Sequence, residues 1–199
     1  MHKDILICGV GGQGTVLASK IIAAAAMVEG NTVHSAETIG MAQRGGPVTS
    51  HVRIGDDAYS PLIPHGKADI ILGFEPAEVV RNIDYLAKDG LAVVNTSAVA
   101  PVVESLLETG YDGTDMIDYL KANVRCIFVD GNAACEKLGS VKFLNIYLLG
   151  VAAGSGKLGI DRETILAEIE SRVPEKYKEA NRKAFLEGFE TGSTKGEIS

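Results

Sequence analysis

Asp4-Ile5-Leu6-Ile7-Cys8-Gly9-Val10-Gly11-Gly12-Gln13-Gly14-Thr15 is the stretch that decides the fold. Its first half is a continuous apolar run, which reads as a strand buried on both faces of a parallel sheet. Its second half puts Gly9, Gly11 and Gly14 in GxGxxG spacing. These glycines directly precede an alanine-rich segment, Thr15 to Glu29, which reads as a helix stopped by Gly30-Asn31. Bare backbone at such a turn lets a phosphate approach the unpaired N–H groups of the helix N-terminus. The same glycines equally permit tight strand-to-helix packing with no ligand at all. The helix has little polar face and must be covered on more than one side.

Outward from this unit the strand-helix alternation continues. Thr32 to Ala36 reads as a second strand. Val48 to Ile54 reads as a third, with Gly55-Asp56-Asp57 as a turn before Ala58-Tyr59, so the middle of the chain resembles a hairpin. Ala68 to Gly73 is another buried strand, and Glu75-Pro76 opens a helix carrying Val79, Val80, Ile83 and Leu86 at helical spacing. Leu91 to Asn95 and Val124 to Asp130 add two strands. Val141 to Ala153 is apolar nearly all round, while Arg162 to Arg172 and Glu175 to Glu190 are amphipathic. The expectation is an α/β fold, three-layer and Rossmann-like, with a mainly parallel sheet and a short antiparallel insertion near 48–60. It is a single domain over residues 1–199, with a core at 4–155 and C-terminal helices at 160–190.

Composition narrows the function classes. With 199 residues, 46% hydrophobic, a formal net charge of −7 and a pI near 5.1, the chain can bury a substantial core and carries no basic footprint for nucleic acid. The longest apolar stretch, Ile21 to Val28, is too short to span a bilayer, which points to a cytoplasmic protein with no membrane partner. Cys8, Cys126 and Cys135 have no CxxC spacing, and Cys8 and Cys126, inside apolar strand-like runs, read as buried, inert thiols. His2, His34 and His65 lack metal-ligand spacing, and no serine lies in a GxSxG context, so neither a metal site nor a catalytic residue is assigned. Asp69 and Asp130 flank strands and read as loop caps. Gly154-Ser155-Gly156-Lys157 lacks phosphate-loop spacing and reads as a helix terminator.

A second glycine loop, Gln43-Arg44-Gly45-Gly46-Pro47, combines an arginine fork with bare backbone and suits an anion, although a surface turn with a solvated arginine has the same sequence. A dinucleotide site would also need an acid near the end of the second strand. Glu37 stands at about the right distance, with His34 and Ser35 nearer, so nicotinamide or flavin binding stays open.

Three segments carry a family resemblance: Asp4 to Thr15, Ala42-Gln43-Arg44-Gly45-Gly46-Pro47-Val48-Thr49-Ser50-His51-Val52-Arg53, and Ala68-Asp69-Ile70-Ile71-Leu72-Gly73-Phe74-Glu75-Pro76. Together they resemble the gamma subunit or domain of the 2-oxoacid:ferredoxin oxidoreductases, over most of residues 4–155. Asn145 and Gly150 fit the later pattern, and the separate small chain is most similar to the indolepyruvate branch. The resemblance implies oxidative decarboxylation of a 2-oxoacid to an acyl-CoA and CO2, using thiamine diphosphate, Mg²⁺, iron–sulfur clusters of the 4Fe–4S type, coenzyme A and ferredoxin. The chain has neither the cysteine runs for such clusters nor a GDG segment for thiamine diphosphate, so these are expected on a large thiamine and iron–sulfur partner subunit. By the same resemblance Gly9, Gly11, Gly12, Gln13 and Gly14 form one wall of a cofactor-facing site. Gln43, Arg44, Gly45 and Gly46 face the cofactor or the partner, with Arg44 balancing phosphate or carboxylate charge. His51 and Arg53 share a strand face and are candidates to border the site, or are simply a polar face. A large apolar partner surface is expected on the first helix, with a homodimer contact as a further possibility. The competing readings are a free-standing NAD or FAD module and a homo-oligomeric scaffold with a vestigial loop.

Overall fold

The computed structural model describes residues 1–39, 45–56, 58–100 and 110–196. Six strands form one sheet: β1 (Lys3–Val10), β2 (Val33–Ile39), β3 (Pro47–Ile54), β4 (Ala68–Gly73), β5 (Leu86–Asn95) and β6 (Cys126–Val129), in the order β2-β3-β1-β4-β5-β6. β1, β4, β5 and β6 run parallel, and β3 is antiparallel to both of its neighbours, with Asp4 opposite Arg53 and His34 opposite Arg53 on the other side. Around the sheet lie α1 (Thr15–Val28), α2 (Pro76–Arg81), α3 (Thr114–Asn123), α4 (Gly131–Lys137), α5 (Leu144–Gly154), α6 (Arg162–Arg172) and α7 (Glu175–Gly196).

The continuous apolar runs have the burial they imply. On β1, Ile5 and Ile7 face a core that also holds Ile21, Ile22, Leu148 and Phe185, whereas Leu6 and Cys8 face a smaller one with Ile71, Val79 and Leu120. The first side is covered by α1, α5, α6 and α7, and the second by α2 and α3, so the layers are unequal. α5 is fully buried from Leu144 to Ala152 because it lies between the sheet and α7. That position explains a helix apolar all round.

The α5–α7 contact is backbone on backbone. A Cβ added at Gly150 would lie 2.2 Å from the Phe185 carbonyl oxygen, at Gly154 2.0 Å from that of Phe189, at Gly188 2.1 Å from that of Tyr147, and at Gly192 2.2 Å from that of Val151. Each helix thus presents two glycines four residues apart to the other's carbonyls, an approach that only glycine allows.

Four expectations are corrected. The antiparallel insertion near 48–60 is present as one strand, β3, paired with β2 and β1, and the hairpin read there is not formed, since Ala58 is buried without joining a strand. The helix opened by Glu75-Pro76 ends at Arg81, where the Asn82 amide donates to the Glu78 carbonyl at 2.8 Å. Ile83 lies in a 3-10 turn and Leu86 begins β5, because both reach the smaller core from there. β5 therefore starts five residues before Leu91. Finally, the apolar face of α1 is covered within the chain by α5, α6 and β3, leaving Met27 and Val28 exposed at its end rather than a broad docking face.

Candidate functional site

From β1 the chain crosses through α1 to the β2 side, and from β4 it crosses through α2 to the β5 side. The carboxyl ends of β1 and β4 are therefore the switch point, where a doubly wound sheet opens a crevice. The first glycine loop lies there. Gly9 is a packing residue, since a Cβ on it would meet the Gln13 Oε1 at 2.7 Å and Phe74 Cβ at 2.8 Å. Gln13 folds inward: its Oε1 accepts from the Val10 N–H at 2.7 Å and its Nε2 donates to the Phe74 carbonyl at 3.2 Å. Asn95, fully buried at the end of β5, donates to the same carbonyl at 3.1 Å and accepts from the Gly131 N–H at 3.0 Å. Two side-chain amides thereby tie the ends of β1, β4 and β5 to the start of α4. The buried backbone groups at this edge are satisfied by these amides rather than by water.

The glycine loop divides two clefts. One, of about 610 Å³, lies between the first loop and the start of β3 and is bordered by Val10, Gly45, Pro47 and Tyr111, with Glu75 and Glu78 at 2% and 3% exposure. Glu75 caps α2 through the Glu78 N–H at 3.0 Å and accepts from the Tyr111 hydroxyl, while Glu78 pairs with Arg81. Burial raises the Glu78 carboxyl above its usual range, Arg81 opposes this, and the nearby Glu75 charge adds to it. Burial likewise raises the Tyr111 hydroxyl, reinforced by its bond to Glu75. Two buried carboxylates and the exposed Arg81 guanidinium thus line this cleft together. The other cleft, about 370 Å³ on the opposite flank, is bordered by Gly12, Gly14, Asn132, Lys142 and Asn145, with no carboxylate among its described residues.

The two glycine loops do touch, since the Gly11 N–H donates to the Gly46 carbonyl at 2.9 Å. Gln43 and Arg44 lie outside the described residues. His51 and Arg53 do not reach the switch point. His51 accepts from the Ile63 N–H at 3.3 Å and stands edge-on to Tyr85, and Arg53 pairs with the buried Asp4 at 2.7 Å. Because β3 runs antiparallel, Arg53 sits at the amino end of β1. Asp130 caps α4 through the Ala133 N–H, matching the loop-capping reading, whereas Asp69 lies within β4 and accepts from the Asp4 N–H of the neighbouring β1. Glu37 accepts weakly from Ser19 at 3.4 Å. Burial raises all three thiols, Cys126 and Cys135 to about 12. The sequence reading passed over Glu78, Tyr111, Asn95, Asn132 and Lys142. Only Glu75, as a cap before Pro76, carried a local signal.

With the sheet order, the switch-point loop and its two clefts in place, comparison with known proteins identifies the class. The chain belongs to the pyruvate ferredoxin/flavodoxin oxidoreductase family, whose model matches residues 4–191. It is 39% identical over 191 residues to the indolepyruvate oxidoreductase subunit IorB of Archaeoglobus fulgidus, covering 95% of this chain and 94% of that one. It is 30% identical over 192 residues to the pyruvate/ketoisovalerate oxidoreductases common subunit gamma of Pyrococcus abyssi, covering 94% and 95%. The crystal structure of a keto/oxoacid ferredoxin oxidoreductase gamma subunit from Geobacter sulfurreducens superposes with a TM-score of 0.71 at 27% identity, covering 96% and 99%.

Proposed function

We propose that this chain is the small, non-thiamine subunit of a 2-oxoacid:ferredoxin oxidoreductase acting on indolepyruvate, and that it works in the cytoplasm with a large subunit bearing thiamine diphosphate, Mg²⁺ and the iron–sulfur clusters. The complex oxidatively decarboxylates the 2-oxoacid to an acyl-CoA and CO2 and reduces ferredoxin. The observation that carries this reading is the near full-length likeness at 39% identity to an indolepyruvate oxidoreductase subunit, against 30% for a pyruvate/ketoisovalerate one. Three cysteines without paired spacing support placing the clusters on the partner. In this reading Gly9, Gly11, Gly12, Gln13 and Gly14, with Gln43, Arg44, Gly45 and Gly46, face the coenzyme or the partner. Arg44 supplies the charge that balances a phosphate or carboxylate.

The sheet order speaks against the rival dinucleotide module. β3 is wedged between β1 and β2, so Glu37 on β2 stands two strand spacings, about 9–10 Å, from β1 instead of one. The acid that should hold a ribose is displaced by a whole strand.

The test is co-expression with the large subunit and anaerobic dye reduction with indolepyruvate, pyruvate and 2-oxoglutarate. Activity is expected only with both chains present and greatest with indolepyruvate. Arg44→Ala should lower turnover with the fold intact. Chains that do not associate, combined with tight NAD or FAD binding by this chain alone, would replace the proposal with the dinucleotide reading.

A further inference from the structure

We infer that His51 is an acid-sensitive latch on the segment joining β3 to β4: with Nδ1 unprotonated it holds the Ile63 amide, and on protonation it releases residues 63–65 while the sheet stays folded. The inference stands apart from the glycine loop and from the subunit assignment, since this segment lies at the amino end of β4.

The segment is pinned on both sides of Ile63. Arg53, fixed by the buried Asp4 at 2.7 Å, donates through Nη1 to the Ser60 carbonyl at 3.1 Å and to the Leu62 carbonyl at 3.4 Å. At the far side the Gly66 N–H donates to the Asp84 carbonyl at 2.8 Å. Between these pins His51 holds the backbone, its Nδ1 accepting from the Ile63 N–H at 3.3 Å. Ile63 is 2% exposed and His51 4%, so water has little access to either group. An N–H can donate only to an unprotonated ring nitrogen, which fixes the neutral imidazole with its proton on Nε2. A proton added at Nδ1 would set two donors against each other and leave a buried amide without an acceptor. The closed segment therefore requires the neutral ring.

The rings around His51 belong to the same device. Tyr85, in the 3-10 turn before β5, meets His51 edge-on at 5.4 Å between ring centres and stacks on His65 at 4.3 Å. The segment that His51 releases thus carries the other imidazole that packs on Tyr85. The remaining charged groups are engaged elsewhere or lie at the rim. On this face of the sheet β1 contributes Asp4 and Cys8, β2 contributes His34 opposite Arg53, and β4 contributes Asp69. Asp4 pairs with Arg53 and has His2 beside it, and Asp69 takes Lys3 and the Asp4 N–H. α2 brings Glu75 and Glu78 toward Cys8, where Tyr111 and Arg81 hold them. Lys67 and Asp84 are exposed at the far pin. Burial pushes the His51 imidazole below its ordinary value of 6.5.

The closed latch excludes a proton that the open segment accepts near 6.5, so closure is strongest above that pH and weakens as pH falls toward the lower folded value. Glu78 cannot mimic this trend, because its raised carboxyl contributes more stability as pH falls.

The test is amide hydrogen exchange of the ¹⁵N-labelled full chain at pH 7.5 and 5.5, with each rate compared with the intrinsic rate at that pH. Protection at Ile63 should fall by about 5- to 10-fold over this interval, the most that one excluded proton allows. The opening should be local: low urea should speed exchange at Leu72, inside β4, and leave Ile63 nearly unchanged. His51→Gln offers an amide oxygen to the same N–H and does not titrate, so it should keep most of the protection at Ile63 and lose its dependence on pH. His65→Gln should keep that dependence. The parent chain supplies a check that needs no variant, since the His51 ring nitrogens and the Ile63 amide should titrate together with a midpoint below 6.5. Ile63 protection equal at the two pH values, responding to urea as Leu72 does, or still pH-dependent in His51→Gln would overturn the inference. So would titration of the His51 ring with no shift of the Ile63 amide.

Discussion

Gly188→Ala tests the packing of α5 on α7 because two effects of opposite sign compete there. In an isolated helix, alanine is favoured over glycine by about 1 kcal/mol, so local propensity alone makes the variant more stable. In the fold, the added Cβ falls 2.1 Å from the Tyr147 carbonyl oxygen and 3.0 Å from its carbon. An ordinary C···O contact begins near 3.3 Å, so α7 must retreat by about 1.2 Å. α5 cannot give way, because it is already held between the sheet and α7 and is buried from Leu144 to Ala152. A gap of this size forfeits a quarter to a half of the dispersion attraction along the seam, and overpacking of this kind typically costs about 1–3 kcal/mol, occasionally more. With three further glycine contacts of the same kind opened together, the upper part of that range applies. After the propensity gain is subtracted, the expected net loss is about 2 kcal/mol, equivalent to a midpoint about 4–8 °C lower for a chain of this size. Urea and thermal unfolding of the full chain measure it. Gly196→Ala is the reference, since the nearest atom to its added Cβ is 3.4 Å away, and it should show no loss. A Gly188→Ala chain as stable as the parent, or more so, would refute the claim that the glycines are there for close approach.

Asn95→Leu removes the three hydrogen bonds of the amide that joins the end of β4 to α4 and strands the buried Gly131 N–H; a loss of about 1–3 kcal/mol is expected in urea unfolding, and a loss below about 0.5 kcal/mol would show that the amide tie is dispensable. Asp4→Ala leaves the Arg53 guanidinium, whose side chain is 11% exposed, without its carboxylate and should cost about 3–5 kcal/mol, with Asp4→Ala/Arg53→Met recovering part of it; equal stability of the single and double variants would dismiss the pair. For Glu78 the folded carboxyl is raised, so between the unfolded value near 4.5 and the higher folded value the native state binds more protons than the unfolded one. Stability contributed by this group is therefore greatest below that window and falls as pH rises through it. Glu78→Gln should flatten that slope in unfolding measured from pH 4 to 8, and an unchanged slope would assign it to other groups.

Much of the architecture could be read from the chain, for reasons tied to particular residues. Ile5 to Val10 and, apart from Asp69, Ala68 to Gly73 are continuous apolar runs because interior strands are covered on both faces, and both proved to be interior strands. Errors came where spacing was ambiguous. Val79, Val80, Ile83 and Leu86 satisfy a helical period, yet the last two reach the same core from a 3-10 turn and a strand. Gly55-Asp56-Asp57 is a proper turn signal, but the partner of β3 lay upstream, and turn residues do not specify which strand the chain pairs with.

By itself the sequence determined the βαβ opening, the position of the glycine loop at a carboxyl edge and the family to which the chain belongs, because these depend on local pattern and on motifs a few residues long. Only the tertiary structure decided that β3 separates β1 from β2, that α5 is enclosed by α7 through four glycines, and that the glycine loop divides a cleft holding Glu75, Glu78 and Arg81 from one holding Asn132, Lys142 and Asn145. Glu78, Tyr111, Asn95 and Asn132 are ordinary polar residues along the chain. Their places around the glycine loop are set by contacts across many tens of residues, which no local pattern along the chain encodes.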